Sequence, residues 1–346
     1  MAEARIDSLP REGVEALVRS AGLQEPHSLR PMEGGANNRL FRVDLGGKPA
    51  AVLKSYFRHP SDPRDRLHAE FSFSTYAWEI GLRCLPQPLA KDDDRGWGLY
   101  EHVHGSRIRQ EEVSQRMVSD ALAFLEALNR KADRGKAQGL SVASEACFSL
   151  TEHLDLVDRR IQALSQIRGP SPLHEEVLGF ARDELLPSWQ ELRPQLERRA
   201  SFLRLDLDEA LPQGERCVSP SDFGFHNALR REDGSIVFLD FEYAGWDDPS
   251  KLVGDFFCQP AVPVPSEYYD AFAEGIISSL ELSPGHKIRT ELLRPVYEIK
   301  WCCILLNPFL PGGEARRQFA GEAPDRKRDA RQLLKARERL QEISLD

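Results

Sequence analysis

The residues best equipped for chemistry lie in one stretch, 220–249, which reads PSDFGFHNALRREDGSIVFLDFEYAGWDDP. Asp222 stands five positions before Asn227, and a second carboxylate, Asp240, ends the apolar run Ile236-Val237-Phe238-Leu239. An acid and an amide on one loop, followed by a carboxylate where a short buried strand stops, can bring three oxygen donors to one place. Mg2+ and a hydroxyl nucleophile ask for that donor set. The chemistry this pattern suits is phosphoryl transfer.

Such a centre needs a cradle for phosphates, and the first hundred residues offer its parts. Short runs over 28–32, 39–44 and 50–56, with Gly46-Gly47 between the last two, predict a small antiparallel sheet. Between the first two runs lies EGGANN, 33–38, where Gly34 and Gly35 let backbone N–H groups approach a polyanion without a Cβ in the way. The same glycines also suit an ordinary turn. Lys54 sits in the strand AAVLKSY, where its ammonium can face that turn or simply face solvent. The segment 64–82 has helical spacing and ends at Gly81; Glu70, near its middle, can turn inward to pair Lys54 or stay solvated. A leading helix over 10–22 precedes these strands, and the run 97–103 completes the sheet before His104-Gly105 breaks it.

Beyond that break the pattern is helical. Apolar periodicity predicts helices over 113–131, 148–167, 173–196, 266–280, 287–306 and 326–343. The segments 131–139 and 311–324 read as flexible connections. The fold class expected is α+β, with a small antiparallel-sheet lobe over 1–103 and a larger, mainly helical lobe over 104–346.

Composition narrows the function classes. The chain has 346 residues, 41% hydrophobic and 29% charged, with a net charge of −9. That balance disfavours a surface built for nucleic-acid phosphates. No run approaches the roughly 18 apolar residues of a membrane span, and the opening residues lack a signal pattern, so a cytoplasmic address is expected. The six cysteines show no CxxC spacing and read as buried thiols rather than as a disulfide scaffold or a structural metal site.

Taken in order, the glycine turn, strand lysine, helix glutamate, D-x4-N and strand-end Asp resemble the aminoglycoside phosphotransferase and choline kinase superfamily, whose fold is similar to that of protein kinases. SDFGFHNAL looks like its H-G-D-x-x-x-x-N catalytic loop, and IVFLDFEYAGWDDP like its metal-binding block. The resemblance implies a bilobal protein-kinase-like fold and roles for matching residues. Asp222 would be the catalytic-loop carboxylate that accepts or orients the proton of the attacking hydroxyl; Asn227 and Asp240 would hold Mg2+. ATP would be bound by Gly34, Gly35, Asn37, Lys54 and Glu70, and by the hinge residues Glu101 and Val103, with Tyr100 as gatekeeper. Two departures stand out. The family's H-G is here Pro220-Ser221, and the position of a downstream family Asp is Leu252, with Asp255 one turn later.

The expected partner is a small-molecule alcohol, with no nucleic acid and no membrane involved. Glu242, Tyr243, Trp246 and Asp247, with Trp301, can form a pocket for a cationic or sugar-like acceptor or can pack behind the metal loop. A catalytically silent nucleotide-binding scaffold is the alternative function. A protein kinase is disfavoured, because no A-P-E block follows Asp240.

Overall fold

The computed structural model describes residues 9–32, 38–45, 48–60, 62–169, 171–310, 312–321 and 325–343. Helix α1 (Arg11–Ser20) buries Val14, Leu17 and Val18 against one face of a five-stranded antiparallel sheet. The sheet strands are β1 (Ser28–Met32), β2 (Asn38–Leu45), β3 (Lys48–Tyr56), β4 (Pro88–Asp92) and β5 (Trp97–Glu101), in spatial order β1-β2-β3-β5-β4. Alternation along β3 sends Leu53 into the sheet core with Phe41, Val43 and Leu99. Lys54 therefore points to the opposite face, toward the rest of the molecule.

Helix α2 (Arg66–Glu79) crosses that opposite face. Asp65 starts it by accepting the His68 N–H at 3.0 Å. The helix buries residues on more than one side, Leu67 and Glu70 beneath the sheet and Phe73 and Ala77 against the helical lobe, so it is the element shared by both. After β5 the chain leaves the sheet and enters a helical body through β6 (Ser106–Arg107).

That body contains α3 (Gln115–Leu128), α4 (Leu150–Leu164), α5 (Pro172–Phe180) and α6 (Leu186–Phe202), then the short strands β7 (Cys217–Ser219), β8 (Ala228–Arg230), β9 (Ile236–Phe238) and β10 (Gly245–Asp247). It closes with α7 (Pro249–Cys258), α8 (Tyr269–Ser279), α9 (Gly285–Leu305), α10 (Gly313–Ala320) and α11 (Arg326–Glu342). The architecture is the expected bilobal α+β, protein-kinase-like arrangement.

Two apolar cores carry the helical lobe. One gathers Phe124, Phe223, Phe225, Phe238, Phe241, Phe256 and Phe272 behind the short strands. Their rings stack in chains, with Phe124 and Phe238 4.9 Å apart and Phe256 and Phe272 4.5 Å apart. The other lies under α4, α6, α9 and α11 around Trp189, Tyr297 and Cys303. Gly254 lets α7 approach α9, since a Cβ there would come within 2.5 Å of the Tyr297 ring.

Two expectations about the chain path need correction. The segment 131–139 is no loose connector: Arg134–Gly139 forms 3-10 turns around the fully buried Ala137, and Arg134 donates to the carbonyls of Gly214 and Arg216. Within 311–324 lies α10, whose Phe319 meets Phe57 edge-on at 5.5 Å, so a helix occupies the expected flexible stretch. In both places a few buried anchors outweigh the local abundance of Gly, Pro and charge. The cysteines are all free, and all but Cys84 are buried. Among the described residues no helix is long and apolar enough to cross a membrane.

Candidate active site

The site is built on two loops of the helical lobe and one strand of the other. The first loop, 220–227, follows β7. The strand is gripped by the Asn129 side chain, which donates to the Val218 carbonyl at 2.9 Å and accepts the Val218 N–H at 2.7 Å. Phe223 and Phe225 then plunge into the aromatic core, which leaves Asp222, His226 and Asn227 on the other side of the loop. The second loop begins where β9 ends. Leu239 N–H donates to the Asn227 carbonyl at 2.8 Å and Phe238 N–H to the Cys84 carbonyl at 2.9 Å, so Asp240 emerges beside Asn227.

Both loops bend through sparsely populated backbone. Ser221 and Asp240 have φ of +66°, the left-handed region, which non-glycine residues enter at some cost. Each stands at or next to a carboxylate that the sequence picked out. Strain of this kind persists only where surrounding contacts impose it.

Lys54 joins the lobes. Its ammonium donates to Glu70 Oε2 at 2.6 Å and to Asp240 Oδ1, so one cation links β3, α2 and the loop after β9. Burial alone would lower this lysine, but the charges of Asp240, then Glu70 and Glu242, hold it well above the ordinary value. Burial pushes the Glu70 carboxyl up to about 7; Asp240 adds to this and Lys54 opposes it. Glu70 also accepts the Tyr56 hydroxyl at 2.7 Å, and Tyr56 meets the Tyr100 hydroxyl at 2.8 Å. The side chain of Asp240 keeps 32% of its surface exposed, whereas those of Lys54 and Glu70 keep 9% and 7%. The open end of the triad is the carboxylate.

Asp222 is the other exposed acid, at 35%. Burial pushes it up, but the neighbouring His226, whose ring Nε2 lies 3.2 Å from Oδ1, outweighs this, with help from Lys300 and Asn227, and its pKa falls below the usual range. Asn227 donates its amide to the Asp222 carbonyl at 2.9 Å. With the NH2 so engaged, the amide oxygen is the atom left for a cation. That oxygen and the Asp240 carboxylate are hard donors of the kind Mg2+ prefers, with phosphates and water completing its shell. Among the described residues no group of three or more His, Cys, Asp or Glu side chains is arranged to hold a metal by itself.

The other sequence candidates fall in different places. Gly34, Gly35 and Asn37 lie outside the described residues, as does most of 33–38. Asn38 is described and buried, and its amide donates to Glu242. Glu101 ends β5, where its N–H donates to the Gln87 carbonyl at 2.8 Å, and Val103 follows in the connection to the helical lobe. Tyr100 is buried between the lobes, 6.1 Å from the Phe71 ring.

The proposed acceptor residues do not form one pocket wall. Glu242 is 2% exposed and lies 3.8 Å from the Arg66 guanidinium. Tyr243 lies under the guanidiniums of Arg64 and Arg66, at 5.6 and 5.7 Å from its ring centre. Trp246 faces away, donating to the Ala137 carbonyl at 3.1 Å. Asp247 is fully buried and bound to Lys251 at 2.5 Å, and Trp301 donates to Asp255 at 2.9 Å. The last three serve packing and bracing.

Sequence reasoning missed His226 as the partner of Asp222, Asn38 and Arg66 as partners of Glu242, and Lys251. Its available signals were His226, four residues after an acid on a short loop, and Lys251, with carboxylates four residues to either side.

A family model described as the phosphotransferase enzyme family matches residues 28–277. A sequence search of curated proteins returned no match. Among solved structures, the fold is similar to spectinomycin phosphotransferase APH(9)-Ia in complex with ADP and spectinomycin, at 11% identity and TM-score 0.59, covering 98% of this chain and 96% of that one. It is similar to choline kinase LicA from Streptococcus pneumoniae, at 12% identity and TM-score 0.57, with 96% and 99% covered. The gentamicin complex of APH(2")-IIa is similar at 16% identity and TM-score 0.55, with 98% of both chains covered. With the family model spanning most of the length, and the lysine, glutamate and two-loop arrangement described above lying within it, the chain belongs to the phosphotransferase enzyme family.

Proposed function

We propose that the chain transfers the γ-phosphate of ATP, with Mg2+, to a hydroxyl of a small molecule such as a sugar, an amino alcohol or an aminoglycoside-like compound. The observation that carries this reading is the Lys54 ammonium held between Glu70 and Asp240, with Asp222 and Asn227 on the adjoining loop. In this reading the lobes divide at 103/104, and the nucleotide lies between them, its adenine against the connection at Glu101 and Val103.

Each residue then has a definite task. Lys54, its flexible stem fixed by Glu70, contributes a fixed positive charge to the α and β phosphates. Asn227 and Asp240 hold the cation, which when bound neutralises charge on the phosphates. Asp222 stays ionised at neutral pH and accepts a hydrogen bond from the acceptor hydroxyl, aligning its oxygen with the phosphorus and taking the proton late in a loose transition state. His226, on Oδ1, fixes which carboxylate oxygen faces the acceptor. Complexes of similar proteins with ADP and spectinomycin and with gentamicin support a nucleotide and a small-molecule acceptor.

The test is a mass-spectrometric screen of a metabolite extract for species that gain a phosphate with this chain and Mg-ATP. A phosphorylated metabolite that disappears with Asp222→Ala is expected. Phosphate gain that persists undiminished in Asp222→Ala would refute the assignment. Tight Mg-ATP binding with no acceptor in the extract would favour a nucleotide-binding scaffold.

A further inference from the structure

The loop carrying Asp222 lacks the histidine and glycine that precede the acid in the pattern it resembles; Pro220 and Ser221 stand there. Pro220 brings no N–H, and Ser221 is forced into positive φ. Something must hold this backbone, and the structure contains a buried cation at the right place. Lys251 on α7 is 1% exposed, and its ammonium donates to Ser221 Oγ at 3.1 Å. The same ammonium donates to Asp247 at 2.5 Å and lies 3.4 Å from Asp255.

We infer that Lys251 is a positioning residue for phosphoryl transfer, fixing the strained Ser221 and, through it, the direction in which Asp222 leaves the backbone. This rests on the phosphotransfer reading of Asp222 given above. A buried ammonium is costly unless its three donors are used, and here Ser221, Asp247 and Asp255 meet it. Those partners come from different elements: Asp247 ends β10, which pairs with β7 so that Gly245 faces Ser219 and Asp247 faces Cys217. Asp255 belongs to α7 and is itself held from α9 by Lys300 at 2.7 and 2.9 Å and by Trp301. The lysine therefore ties the base of the catalytic loop to a frame of strand and helices.

Ser221 is the one loop residue in this frame whose side chain reaches back to it. Its N–H donates to Ser219 Oγ at 3.0 Å, and its carbonyl accepts the Phe223 N–H at 2.8 Å, closing a tight turn around Asp222. With the hydroxyl removed, the turn keeps these backbone contacts but loses its link to α7. The expected consequence is a carboxylate that samples more directions while Lys54, Glu70 and Asp240, on β3, α2 and the other loop, are untouched, and Asn227 stays tied to the other loop through the Leu239 N–H at 2.8 Å.

Ser221→Ala is the clean variant, because it removes a hydroxyl and leaves the ion pairs whole. Lys251→Met combined with Asp247→Asn removes the cation without leaving its carboxylate unpaired. Both are compared with the unaltered chain for Mg-ATP affinity, for ADP release with water or a metabolite extract as acceptor, and for amide hydrogen exchange over 219–227. Ser221→Ala should bind Mg-ATP within about twofold of the unaltered chain, lose about tenfold in kcat, and exchange faster over 219–227. Adding the Lys251→Met and Asp247→Asn changes to it should cost little more kcat, since the link is already broken. Unaltered kcat and exchange in Ser221→Ala, or losses that simply add, overturn the assignment. If the unaltered chain releases no ADP, the phosphotransfer reading fails instead, and faster exchange in Ser221→Ala still decides whether Lys251 holds the loop.

Discussion

Two lysines in this molecule sit between two carboxylates each, and they face opposite fates. Lys54 binds Glu70 and Asp240 at the junction of the lobes; Lys251 binds Asp247 and Asp255 behind the catalytic loop. The chemistry is nearly the same, but the enclosure is not. Asp240 leaves about a third of its side chain in the open, at 32%, whereas Asp247 and Asp255 show 0% and 4%. A carboxylate at the edge of a cleft can exchange its lysine for a cation and a phosphate at modest cost. One sealed in the interior cannot, because leaving either partner unpaired there is expensive. Exposure, more than residue type, separates a ligand site from a brace.

The strongest way to break this comparison is at Asp240. Asp240→Ala should lower phosphate transfer by about 10³-fold or more while leaving the chain folded, since the group lost is at the surface of the cleft and Lys54 keeps Glu70. Transfer kinetics alongside a thermal melt would check it; a large fall in Tm with unchanged activity per folded molecule would place Asp240 with the braces. In the sealed cluster the expectation reverses. Asp255→Ala strips Lys300, Lys251 and Trp301 of their shared acceptor and should cost about 3 kcal/mol or more of unfolding free energy. Urea denaturation reads this directly.

The contrast also explains what could be read from the amino-acid order. The helices and the small sheet follow from apolar periodicity and turn residues, which are local. Lys54, Glu70, Asp222, Asn227 and Asp240 stood out because their types and order formed a pattern. Lys251 had a local signal, carboxylates four residues to either side at Asp247 and Asp255, but its link to the catalytic loop, Ser221, lies 30 positions away and no spacing rule reaches it. The bond between Asn38 and Glu242 spans 204 positions, and no spacing rule reaches that far. Asp247 and Trp301 were candidates for an acceptor pocket on type alone, and burial decided against it. Helix α10 was hidden by the glycines and prolines around it, while its anchor, Phe319 on Phe57, lies far away in sequence.

The smallest effect expected separates the clusters by pH. Burial pushes Glu70 up to about 7 and Asp247 up to about 6, above the usual carboxylate values. A carboxyl raised in the folded state favours folding most where it is protonated, below its ordinary value near ~4, and that contribution disappears as pH rises through the folded value. Stability without nucleotide should therefore decline between about pH 4 and pH 7, with Asp247 acting lower in that window than Glu70. Asp248 works in the other direction. Burial would raise it, but Arg289 at 2.7 Å and His153 at 3.1 Å hold it well below the usual range, so its contribution is lost as the medium turns acid. Melting curves across pH should then flatten near neutrality in Glu70→Gln and at slightly lower pH in Asp247→Asn. Saturating Mg-ATP should suppress the Glu70 part alone, because only that cluster opens to the ligand, and a nucleotide effect on the Asp247 part would erase the distinction between brace and site.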